Sequence, residues 1–123
     1  MEDILNVGVA TTPKRILRVT GVDKKPVKMK DGRTSDKIIL KTVEDATGKT
    51  FDISDSWVED NTSTKRVAGL WFSVIDGNLN PSSTLAKVLK FYEVDTIGNL
   101  IDKEVVAYPD KNDYLVLTAC KMT

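Results

Sequence analysis

The stretch that most constrains the fold runs from Ile38 to Ile53, IILKTVEDATGKTFDI, two alternating segments joined by a connection containing glycine. Ile38, Leu40 and Thr42 fall on one face, with Lys37, Ile39, Lys41 and Val43 on the other. After Glu44 to Gly48, Phe51 and Ile53 alternate with Thr50, Asp52 and Ser54. Period-2 patterning with β-branched residues on both sides of a short glycine-bearing connection predicts a β-hairpin.

The same logic orders the rest of the chain. Residues 14–22 predict a first strand in which Leu17 and Val19 share a face and Gly21 marks a bulge or bend. Residues 23–36, DKKPVKMKDGRTSD, predict a long lysine-rich loop or flared hairpin. The hairpin's second strand is expected to continue through Asp55 to Val58. Val67–Ile75 predicts an extra strand, with Leu70, Phe72 and Val74 on one side and Trp71, Ser73 and Ile75 on the other; if Phe72 faces the core, Trp71 faces away. Ser82 or Ser83 then caps a helix whose Leu85, Val88, Leu89 and Tyr92 occupy the i, i+3, i+4, i+7 stripe. A short helical turn through Ile97, Leu100 and Ile101 follows, then strands over 103–109 and 113–120. Phe51, Phe91 and Tyr92 are assigned to the core. Residues 1–13, broken by Gly8 and Pro13, are expected to form an N-terminal arm, and 14–123 one domain.

The chain has 123 residues, no histidine and a single cysteine, Cys120, inside the apolar run YLVLTAC. Without histidine, neither the Ser-His-Asp and Cys-His hydrolases nor most zinc sites can be built. We expect a non-enzymatic protein with no cofactor and no metal, Cys120 being a buried thiol. The acidic start, MEDILNVGV, has no signal-like pattern and no run is long enough to span a bilayer, so a cytosolic protein is expected.

Net charge is zero, yet it is segregated: residues 14–41 carry ten basic and three acidic side chains, and 44–60 carry six acids against Lys49. Asp52, Asp55, Glu59 and Asp60 read as the wet face of a strand rather than a metal or catalytic site. Lying beside a groove they would repel a polyanion, unless they face away or form a competing contact.

A bent strand, a hairpin, a helix and a second hairpin is the order of the five-stranded Greek-key oligonucleotide/oligosaccharide-binding (OB) barrel, here mainly β with one capping helix and an extra strand. On RILRVTGV, KIILKTV, KTFDIS, SSTLAKVLKFY and KEVVAYPDKNDYLVL, the chain resembles small OB-fold single-stranded DNA-binding proteins of phage and archaeal type over residues 14–120. The Val67–Ile75 segment departs from the minimal barrel and leaves open which strand is third. The resemblance implies a ligand across the second and third strands, between the 23–36 loop and the 109–113 tip. The expected ligand is single-stranded DNA, or RNA, with a protein partner or homo-oligomer as a further possibility and no membrane. Phosphates would then meet Lys24, Lys25, Lys28, Lys30, Arg33, Lys37, Lys41 and Lys111, and bases would stack on Trp57, Trp71, Tyr108 or Tyr114. The alternative for the lysines is a solvated loop, and for each ring core or edge packing. An interaction adaptor presenting an edge or the acidic surface is the rival function.

Overall fold

The computed structural model describes residues 14–60, 62–110, 112 and 114–121, so the expected arm over 1–13 and the site candidate Lys111 lie outside the described residues. Among the described residues nine strands and one α-helix follow in order: β1 (Arg15–Lys28), β2 (Thr34–Glu44), β3 (Lys49–Ile53), β4 (Asp55–Glu59), β5 (Lys65–Gly69), β6 (Val74–Ile75), β7 (Asn78–Leu79), α1 (Thr84–Phe91), β8 (Glu104–Pro109) and β9 (Leu115–Thr118). A 3-10 turn, Ile97–Leu100, precedes β8.

β1 and β2 form one long ribbon because nothing in residues 23–28 stops the strand. Pro26 is accommodated opposite Asp36, and the ribbon turns only at Met29–Arg33. The flared-hairpin alternative is therefore the one adopted. Its register slips between Val19 and Gly21, where the glycine sits at the expected bulge.

The sheet order is β3-β2-β1-β8-β9-β4-β5, all antiparallel except the pair β4 and β9, with β6 and β7 as a separate hairpin. β3 and β4 are consecutive in the chain, separated by Ser54 alone. Both Ile53 and Ser56 are buried, so two residues, Ser54 and Asp55, intervene between inward positions where strict alternation allows one. This extra residue ends the pairing with β2 and passes the chain to β9. The sheet curls far enough to bring β3 near β9, but among the described residues no ladder joins them, and an open seam remains.

Leu17, Val19, Leu40, Ile53, Val105 and Leu117 fill the concave side. Each fully buried side chain of this size contributes roughly 1.5–3 kcal/mol relative to exposure. α1 adds Leu85, Val88 and Leu89 to the same core, its first turn capped by Ser83 Oγ accepting from Ala86 N at 3.1 Å. Cys120 is buried, as expected.

The helix ends in a Schellman motif: Glu93 N donates to Lys90 O and Val94 N to Leu89 O. Glu93 takes the left-handed position at φ 58°, which strains a residue with a Cβ. Glu93→Gly is expected to raise stability by about 0.5–1 kcal/mol in urea denaturation.

Two expectations are corrected. The extra strand over 67–75 is not continuous: β5 ends at Gly69, Leu70 alone enters the core, and Phe72, Val74 and Ile75 are exposed. The reason lies in the hydrogen bonds, because Leu70 N donates to Ser54 O while Ile38 N donates to Leu70 O and Phe72 N to Asp36 O. The segment crosses from one part of the sheet to another, so a period-2 face assignment fails across it. The core assignment of Phe91 also fails: it caps the helix end at 44% exposure, with its ring edge-on to Tyr92.

Candidate nucleic-acid interface

The antiparallel register of β1 and β2 puts Lys25 opposite Lys37, with Asp23 opposite Ile39 on the same outer face. Trp71 joins this face through a bridge to Lys37, whose ammonium sits 5.3 Å from the indole centroid. Gly69 makes the approach feasible, since a Cβ there would lie 2.6 Å from Trp71 Nε1. The ring borders a shallow groove of about 480 Å³ shared with Val27, Lys28, Met29, Lys30 and Asp31 at the ribbon tip. Thus a half-buried indole and tip lysines occupy one concave surface.

A second groove, of about 620 Å³, lies along the open seam between β3 and the β8–β9 tip. Phe51, Asp52, Ser54 and Asp55 line one side; Pro109, Tyr114 and Leu115 line the other, with Arg15 beside them. Tyr114 is 71% exposed, so its face is available. Arg15 is committed elsewhere: its guanidinium donates to both Glu44 oxygens at 3.0 and 3.2 Å and lies 5.4 Å from the Phe51 centroid. Phe51, read from the sequence as core, is half-buried and packs on the core's rim while bordering this groove.

The two grooves are joined by ion pairs. Lys37 Nζ lies 2.9 Å from Asp55 Oδ1; Lys41 Nζ lies 2.9 Å from Asp52 Oδ2 and 3.7 Å from Asp23. Hydrogen bonding to Asp52 holds the Lys41 ammonium above its ordinary pKa. The acids of 52–55 therefore share the basic face and form the competing contact rather than lying opposite.

Not every candidate reaches this surface. Lys24 shares the face of Ile38, where it pairs with Asp36 at 3.4 Å and covers Phe72. Arg33 is folded back onto Asp31 at 2.6 Å. Trp57 and Tyr108 are half-buried on β4 and β8 and border neither groove; the Trp57 Nε1 is buried with no acceptor among the described residues. Lys25, Lys28 and Lys30 have no ion pair among the described residues. Sequence reasoning missed Arg15, Phe51, Asp52, Ser54 and Asp55 as groove-lining residues, because the seam depends on where the β3 ladder stops.

Asp60, the last of the acidic run, serves its turn: it accepts from Thr62 N, Thr62 Oγ1 and Thr64 N, and these bonds hold its carboxyl below the usual range. Among the described residues no group of three acidic or thiol side chains is placed to hold a metal, and no helix is long and apolar enough to cross a membrane. No protein-family model, curated protein or solved structure matches this chain.

Proposed function

We propose that this protein is a non-enzymatic OB-type barrel that binds single-stranded nucleic acid, single-stranded DNA in the first instance. In this reading β3 and β4 are two halves of the third strand, β8 and β9 are the fourth and fifth, and the open seam is the barrel's unclosed side. The pairing of β1 with β2 and β8, the parallel pair β4 and β9, and the helix between third and fourth strands support it. The observation that carries the function is the groove shared by Trp71, Lys28 and Lys30. Phosphates bind the tip lysines and bases stack on Trp71 and, along the seam, on Tyr114.

Fluorescence anisotropy with labelled oligo(dT) at 50 and 200 mM salt tests this. Micromolar binding that weakens with salt is expected, and Trp71→Ala should lower affinity roughly 5- to 150-fold, the equivalent of about 1–3 kcal/mol for one stacked base. No binding at micromolar protein in low salt ends the proposal. A protein-interaction adaptor is the second reading, favoured by the exposed Phe72 and Val74, which share a surface with α1.

A further inference from the structure

We propose that the seam groove is a nucleobase pocket that selects guanine through the carboxylates of Asp52 and Asp55. The inference rests on the single-strand-binding reading and adds sequence preference to it. A cavity of about 620 Å³ is within the usual size of a small-molecule site. Its two rings, Phe51 and the solvent-facing Tyr114, supply the flat surfaces that a base needs.

The polar lining decides what enters. Asp52 and Asp55 turn their remaining oxygens on the groove and disfavour a phosphate there, and Arg15, the cation in the groove lining, is held by both oxygens of Glu44. A neutral group rich in donors is favoured instead. Each carboxylate gives one oxygen to a lysine, Asp52 Oδ2 to Lys41 and Asp55 Oδ1 to Lys37, which leaves acceptor capacity on both. Ser54, between them, adds a hydroxyl. Among the bases, guanine alone offers two adjacent donors on its pairing edge, N1–H and the N2 amine. Adenine and cytosine offer an amine without a neighbouring N–H, and thymine offers one N–H.

The lining is also positioned before any ligand arrives. The extra residue between the inward Ile53 and Ser56 turns Ser54 and Asp55 toward the groove, and Ser54 O is fixed by Leu70 N at 2.9 Å. Lys37, itself only 21% exposed in its side chain, anchors Asp55. A pre-set acceptor loses less on binding than a mobile one.

The test compares labelled dT12 with dT12 carrying one central dG or one central inosine, which keeps N1–H and lacks the N2 amine. A single dG should tighten binding roughly 5- to 150-fold, the range of one good bidentate base contact, and inosine should recover only part of that gain. In Asp52→Asn/Asp55→Asn the dG-to-dT ratio should fall toward one while dT12 binding persists or strengthens, because negative charge has left the groove. The inosine comparison uses wild-type protein and does not depend on the variant folding. Equal affinity for the dT and dG oligonucleotides in wild type overturns the inference and leaves the binding function intact. A guanine preference that the double variant retains overturns the carboxylate assignment. Absence of binding to all three oligonucleotides removes the underlying function as well.

Discussion

Replacing Lys25, Lys28 and Lys30 together by glutamate is expected to weaken oligo(dT) binding on the order of 10²- to 10³-fold at 50 mM salt. Each phosphate neutralised on a single strand contributes about 0.7 to the slope of log affinity against log salt, which at 50 mM amounts to a little under about tenfold. These three lysines have no carboxylate partner among the described residues, so each brings its full counterion release. Lys24, Lys37, Lys41 and Arg33 must first give up Asp36, Asp55, Asp52 with Asp23, and Asp31. Exchanging one anion for another yields little. The salt slope should accordingly fall by about 2 in the triple variant, and by far less when the four paired cations are reversed. Folding should be spared, since all three side chains are exposed and Lys25→Glu places an acid opposite Lys37. A loss smaller than fivefold would move the phosphate track off the ribbon tip. Capture of a protein partner that survives the triple reversal, with oligo(dT) binding absent from the start, would favour the adaptor.

The contrast between paired and unpaired lysines was invisible in the charge count. Basic residues cluster in 14–41 and acidic ones in 44–60, which suggests two surfaces of opposite sign. The hairpin defeats that suggestion by folding the acidic block back along the basic one, so that Lys41 lies opposite Asp52 in the ladder. What period 2 could reach, it reached: the β2–β3 hairpin, the Gly21 slip, and the inward Leu17, Leu40 and Ile53 follow from alternation within one ladder. The Ser83 cap and the buried stripe of α1 were equally legible, because both are local. Face assignments failed where the chain changes partner. At Ser54–Asp55 and again at Leu70–Phe72, backbone groups bond to strands remote in sequence, and no local pattern encodes which strand that is. The seam groove is built from those two changes of partner together with the β8–β9 tip, which is why sequence reasoning did not single out Phe51, Asp52, Ser54 and Asp55 as its lining, whereas Tyr114, beside the tip, was among the candidates.

Tyr92→Phe is expected to cost about 2–4 kcal/mol and to remove part of the protein's alkaline sensitivity. The phenol stands where β8 and β9 part after the pair Ala107 and Leu117. Its hydroxyl accepts from Val106 N at 3.1 Å and donates to Thr118 O at 2.7 Å, so it replaces the rung the ladder lacks. Phenylalanine keeps the packing and leaves the part-buried Val106 N–H and the buried Thr118 carbonyl without this partner, each worth about 1–3 kcal/mol when unsatisfied. Burial pushes the Tyr92 hydroxyl up to about 12, against a smaller opposing effect of the Val106 N–H. Because the folded value is raised above the unfolded one, the neutral phenol's contribution is complete below about pH 10 and is lost as pH rises from there through about 12. The stability difference between wild type and Tyr92→Phe, measured by urea denaturation, should therefore shrink by roughly 1–3 kcal/mol between pH 9 and 12. Every other ionisable group is common to both proteins and cancels in that difference. A difference that stays constant across the window would mean the hydroxyl is not buried as the ladder gap requires. The same bonds hold β9 against β8 just beyond the pair Ala107 and Leu117, at the opposite end of β9 from the seam-lining Leu115, so the loss should appear in stability and leave the proposed binding of oligo(dT) at the ribbon tip unchanged.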